Sequence, residues 1–254
     1  MPFFRVCRKT RSADLRFPFG EPRWGQVGEM AMAEFQTARR AMVDGQVRTN
    51  EVTNPGVIGA MLEIPREAFV PAARAALAYV DRDVVIADAT ATEPARYLMK
   101  PVVLARLVQA ADPGPGDRVL VIGAGTGYAA AVMSRLAAEV IVLEENESLL
   151  QQARSALSSL RSGNVAFIHG PLTAGAPAAG PYDVILIDGG VETMPDSLCG
   201  QLSSGGRLVT VQVSGPIGKA KLFQQVNRKC RGRELFDANA PVLPGFSSSP
   251  AFVF

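Results

Sequence analysis

Three glycines at alternate positions, Gly123, Gly125 and Gly127, stand between an apolar run and a run of alanines. The apolar run, Val119-Leu120-Val121-Ile122, reads as a strand buried on both faces, as in parallel sheets. Ala129 to Leu136 reads as a helix. Strand, glycine turn and helix make a cradle for a nucleotide cofactor. Glycine admits positive φ and close backbone approach, and a helix start offers free N–H groups. A second strand, Val140-Ile141-Val142-Leu143, ends in Glu144-Glu145. An acid about twenty residues past the first glycine reaches ribose hydroxyls. Glu144 is assigned to the ribose. Glu145 precedes a helix that Asn146 caps, and is read as a partner for the helix dipole.

The glycine spacing separates cofactor classes. A dinucleotide fingerprint requires glycine at position 128, where this chain has Tyr128. The G-x-G-x-G form instead resembles S-adenosylmethionine-dependent methyltransferases, whose cofactor has no pyrophosphate. That resemblance sets the cofactor against Gly123, Ala124, Gly125, Gly127, Tyr128, Glu144 and Glu145. A plain strand-to-helix connector is the bland alternative for such a loop.

Composition narrows the classes further. With 254 residues, 48% of them hydrophobic, the chain can bury a sizeable core. A net charge of +2 leaves no electrostatic footprint for nucleic acid, so no nucleic-acid partner is expected. Cys7, Cys199 and Cys230 lack zinc spacing and read as reduced thiols of a cytoplasmic protein. His169 is the only histidine, so His-based metal clusters and Ser-His-Asp triads lack parts, and no metal is expected. No apolar run is long enough to span a membrane.

The elements that must position the cradle follow from the pattern. Residues 1–32 are basic and rich in proline and glycine, and read as a flexible extension or as sequence upstream of a start near Met30 or Met32. A basic arm for an acidic partner is the alternative. Residues 33–111 read as a helical cap. A helix runs from Ala33 to Val47, Asn54 caps another at Pro55, and Pro65 and Pro71 open two short ones. Residues 82–100 read as irregular, and Pro101 starts a helix through Val108. Residues 112–254 read as the core, with further strands at Val165–Ile168, Val184–Ile187 and Arg207–Val213. The tail reads as a hairpin turning around Arg231-Gly232. The fold class is α/β, a doubly wound sheet with an antiparallel edge and a helical N-terminal cap.

Further residues carry a family resemblance. Met42-Val43-Asp44-Gly45-Gln46-Val47-Arg48, Pro65-Arg66-Glu67-Ala68-Phe69-Val70-Pro71 and Ala78-Tyr79-Val80-Asp81 resemble the N-terminal part of protein-L-isoaspartate O-methyltransferases. So do the glycine loop, Tyr182-Asp183-Val184-Ile185 and Gly205-Gly206-Arg207-Leu208-Val209. The resemblance implies a Rossmann-like methyltransferase core, S-adenosyl-L-methionine as cofactor, and methyl transfer to isoaspartyl carboxylates in protein repair. It also implies that the backbone of Gly170 and Leu172 lies near the adenine.

The chain departs from that family at identifiable positions. The family's Thr-Ile-Ser-x-Pro segment is Tyr97-Leu98-Met99-Lys100-Pro101 here, so Met99 offers no hydroxyl. Val121 replaces an acid, and Gly170-Pro171-Leu172 replaces Gly-Asp-Gly. Asp188 stands where the family has a small residue near the transferred methyl. There it can repel a carboxylate acceptor and orient an amine or hydroxyl, or simply cap a turn at Gly189-Gly190. Asp188, Tyr97 and Met99 are therefore the candidate reaction-centre residues, with Glu192 a weaker one for the pocket wall. His169 reads as a structural or rim residue. Three functions stay open: isoaspartyl methylation, methylation of another protein or small-molecule acceptor, and a non-catalytic binding module.

Overall fold

Apolar runs with both faces buried build the centre of the molecule. The computed structural model describes residues 24–215, 217–226 and 229–248. The strands of the central sheet are β3 (Arg118–Ile122), β4 (Glu139–Glu144), β5 (Val165–His169), β6 (Tyr182–Val191), β7 (Leu202–Gln212), β8 (Lys219–Val226) and β9 (Lys229–Asp237). They form a seven-stranded sheet in the order β5-β4-β3-β6-β7-β8-β9. The first five are parallel, and β8 and β9 close the edge antiparallel. Chain direction across the sheet reverses between β3 and β6, and open α/β sheets bind ligands at such a switch point.

Alternation along each strand divides the core. Val119, Val121, Val140, Val142, Val184 and Leu186 face one side, against helices α3 (Pro101–Ala111), α4 (Tyr128–Ser134) and α5 (Glu147–Ser159). Leu120, Ile122, Ile141, Leu143, Ile185 and Ile187 face the other, with Leu172, Leu198, Leu243 and Phe246. Val121, where the family carries an acid, is fully buried in the first layer.

The elements from Phe35 to Leu98 pack on that first face. Helix α1 (Trp24–Met42) runs into a π-helical turn at Val43–Val47. It begins inside the span expected to be an extension; residues 1–23, Cys7 among them, lie outside the described residues. Every residue discussed below lies in the compact unit Phe35–Phe254. Helix α2 (Pro55–Glu63) starts as expected, with the Asn54 side chain accepting from Gly56 N and Val57 N. The turns after Pro65 and Pro71 are 3-10 helices. Asp83 and Asp81 accept the N–H groups of Lys100 and Val102 at the start of α3.

Three expectations are corrected. Residues 82–100 are not irregular throughout: β1 (Val84–Ala87) and β2 (Arg96–Leu98) pair as a separate two-stranded sheet. Such short runs give little period for the sequence to display. Arg231-Gly232 is no turn but part of β9; Gly232 faces Phe223, whose ring lies 2.7 Å from where a Cβ would stand. Nor are all the cysteines reduced. Cys199 and Cys230, 31 residues apart, form a disulfide with Cα atoms 5.9 Å apart, because α6 (Asp196–Cys199) packs on β8 and β9.

Replacing Asn54 by alanine leaves two α2 N–H groups without acceptors and is expected to cost about 1 kcal/mol, read from denaturant unfolding. An unchanged midpoint would show that Pro55 alone sets this helix start.

Candidate functional site

The glycine loop lies where β3 meets α4, at the topological switch. Gly123, Gly125 and Gly127 have φ of +72°, +56° and +98°, a region that side chains rarely adopt. What lies over them was not expected. A Cβ on Gly123 would stand 2.6 Å from Leu243 Cδ1, and one on Gly125 2.5 Å from Ile86 Cδ1. One on Gly127 would stand 3.0 Å from Ala153 and Leu157 of α5. All three glycines thus admit side chains of this protein. Ala124 is buried, and Thr126 Oγ1 ties the loop to the Phe69 carbonyl at 2.6 Å.

Tyr128, expected beside the cofactor, is fully buried and turned toward the N-terminal elements. Its ring meets Phe69 edge-on at 5.5 Å, and the Arg66 guanidinium lies 4.6 Å from its centroid. Arg66 is itself fully buried and donates to the Ala78 carbonyl at 2.7 Å and the Met99 carbonyl at 2.5 Å. Burial pulls its pKa below the usual arginine value and pushes that of Tyr128 up.

Glu144 has no exposed surface. Arg96 of β2 grips it with both prongs of its guanidinium, Nη1 to Oε1 at 2.7 Å and Nη2 to Oε2 at 2.9 Å. Gly125 N donates to Oε2 at 2.9 Å, and Glu145 N and Asn146 N each donate to Oε1 at 3.0 Å. Arg96 Nη2 also reaches the Gly123 carbonyl at 3.3 Å. Arg96 is the residue the sequence reading missed. Its signal was parity: positions 96 and 98 share a strand face, Leu98 is apolar, and an arginine on a buried face demands an acid.

Glu145 is half-buried, and Asn146 caps α5 as expected, its side chain accepting from Leu149 N at 3.0 Å. Burial raises the Glu145 pKa, while the Arg96 charge and a backbone hydrogen bond from Leu172 pull it back. The Leu172 side chain belongs to the second core layer. Gly170 N donates to the Glu144 carbonyl at 3.2 Å. His169 is exposed, its Nε2 2.8 Å from the Glu145 carbonyl, a rim position as expected.

Tyr97, Met99 and Asp188 come together. With Arg96, Gly189 and Leu243 they line a cavity of about 10 Å³. That is room for about one water. The bland reading of Asp188 as a turn cap does not hold, because β6 continues through it to Val191. The register shifts between Leu186 and Gly190, and Gly190, again paired with Val211 of β7, also exchanges hydrogen bonds with the C-terminal segment, donating to Pro241 O at 2.8 Å and accepting from Leu243 N at 2.9 Å. Asp188 is 6% exposed and its Oδ1 has no hydrogen-bond partner. Burial raises its pKa to about 7, against the charges of Arg66 and Arg96. Glu192 is tied instead to Ser248, whose Oγ donates to it at 2.7 Å. Among the described residues, no group of three or more His, Cys, Asp or Glu could hold a metal.

A family model described as protein-L-isoaspartate(D-aspartate) O-methyltransferase matches residues 37–242. The chain belongs to that family. A protein-L-isoaspartate O-methyltransferase of Pelotomaculum thermopropionicum is 40% identical over 171 residues, 67% of this chain and 72% of the relative. One of Rhodopseudomonas palustris, strain HaA2, is 37% identical over 197 residues, 78% of this chain and 76% of the relative. A solved protein-L-isoaspartate O-methyltransferase superposes with a TM-score of 0.70 at 28% identity, covering 82% of this chain and 66% of that one. A Plasmodium falciparum structure in complex with S-adenosyl-L-homocysteine superposes with a TM-score of 0.67 at 17% identity, covering 82% and 97%, a likeness of fold.

S-adenosylmethionine is the cofactor of this family, and the conformation described here is closed to it at Glu144 and beside Asp188, next to an open cavity of about 330 Å³ lined by Glu93, Arg96, Glu145 and Asn146. Both Glu144 oxygens are filled from within, Leu243 and Ile86 cover two glycines, and the space beside Asp188 holds no group of that size.

Asp188 gives a pH prediction. Its folded pKa, about 7, lies above the value of 3.8 for the free group, so between these the native state binds more protons than the unfolded chain. The neutral carboxyl therefore contributes stability that is fully present below about pH 3.8 and lost as pH rises through about 7. Asp188→Asn should remove this dependence, and its melting temperature should exceed that of the wild type increasingly from pH 5 to about 8. Parallel curves would place the ionised carboxylate in a better-solvated setting.

Proposed function

We propose that the chain catalyses S-adenosylmethionine-dependent carboxyl methylation of isoaspartyl residues in proteins or peptides, from a conformation in which Arg96 has left Glu144. The observation that carries the reading is the family match over residues 37–242, which spans both the N-terminal elements and the sheet. The local frame agrees with it: a glycine loop at the switch point, with an acid at the end of the neighbouring strand. The chemistry asks little of side chains. An isoaspartyl carboxylate is ionised at neutral pH and needs no general base, so in-line positioning supplies much of the acceleration. A site without histidine at its centre is compatible with that.

One observation favours a second reading, methylation of an acceptor other than a carboxylate. Asp188 and Met99 line the same small cavity, a carboxyl group in place of open space and a thioether in place of a hydroxyl. An ionised Asp188 repels an incoming carboxylate and orients an amine or hydroxyl. Incubation with an isoaspartyl peptide and methyl-labelled cofactor separates the readings. Carboxyl methylation yields label that mild base releases as methanol, and a base-stable product identifies the second acceptor class. Under the first reading Met99→Ser, which restores a hydroxyl beside the cavity, should raise the rate on isoaspartyl peptide several-fold. A rate no higher than that of the wild type would favour the second.

A further inference from the structure

We propose that Arg96 occupies the seat of the cofactor's ribose diol, so that the Arg96–Glu144 pair and a bound adenosyl cofactor exclude each other. The inference rests on the reading of Glu144 as the ribose acid. A carboxylate offers about four lone-pair directions. Glu144 already accepts five hydrogen bonds, from Arg96 twice and from the N–H groups of Gly125, Glu145 and Asn146. The three backbone donors belong to the turn and stay with it. The two from Arg96 are what a vicinal diol would bring: parallel donors from one small, planar edge to both carboxylate oxygens. No direction is left for a hydroxyl while the guanidinium stays.

The rest of the hairpin acts in the same place. Strands β1 and β2 form a sheet of their own, with no strand pairing to the central one. Arg96 lies on one arm and Ile86 on the other, and Ile86 covers Gly125. The link between the arms, residues 88–95, is exposed except at the half-buried Ala95. Withdrawal of Arg96 as part of this hairpin therefore uncovers ribose seat and glycine together, whereas rotation of the side chain alone would leave Ile86 over Gly125. The pair is thus an internal occupant of the cofactor site, and it sets the affinity of that site.

Calorimetric titration of S-adenosyl-L-homocysteine into wild type, Arg96→Gln and Arg96→Lys tests this. Glutamine offers one donor edge in place of two, and lysine keeps the charge but loses the fork. At least a tenfold tighter dissociation constant for either folded variant is expected. Affinity equal to the wild type's, or no binding by any of the three, would overturn the exclusion. Adding Glu144→Ala to the tighter variant separates this inference from the reading beneath it. Loss of the gain places the ribose on Glu144, and retention of the gain would leave Arg96 a blocker of some other seat and overturn the proposal. Circular dichroism confirms folding, and should Arg96→Gln not fold, the lysine variant carries the test alone.

Discussion

A carboxylate with no access to water must be satisfied by the protein around it, and Glu144 imposes that demand on everything near it. Removing one partner from a buried ion pair costs about 3–5 kcal/mol, because the other charge is left stranded. The glycine turn, the start of α5 and strand β2 are all committed to the same two oxygen atoms. Two of those commitments are backbone geometry fixed by the strand–turn–helix frame. The third is a side chain from a different part of the chain, and it alone can change without remaking the sheet.

The sheet shows through the sequence wherever burial is two-sided. Strands β3, β4 and β6 stand out as runs of valine, isoleucine and leucine, and Asn54 and Asn146 mark their helices because a cap has a chemical signature. Contacts between distant segments leave no such mark. The hairpin at 84–98 is too short for a period, the partner of Gly123 is Leu243, and the cysteines of the bridge are 31 residues apart. Glycine proved ambiguous for the same reason. Close approach by a ligand and close approach by an isoleucine, a leucine or a helix ask for the same missing Cβ.

The candidate reaction centre follows this division. Asp188, Met99 and Tyr97 were identified by their departures from the family pattern, and the fold brings them to one cavity. The strand continuing through Asp188 was hidden by Gly189-Gly190, which reads as a turn. In fact Gly190 is a crossing point: a Cβ there would stand 2.5 Å from the Ala240 carbonyl oxygen, and the glycine lets the returning chain pass against β6. Arg66 and Tyr128, buried side by side with a nitrogen and an oxygen lacking partners, join the N-terminal elements to the first turn of α4.

The segment around Leu243 has a temporal meaning as well as a spatial one. It supplies the cover of Gly123 and Gly189 and pairs with the end of β6, yet it follows every strand of the sheet in the chain. On a ribosome the glycine turn leaves the exit tunnel well before its cover has been made. Until that segment arrives, Gly123 and Gly189 stay uncovered on the nascent sheet, and the synthesis of residues beyond β9 decides when that side of the crevice first closes.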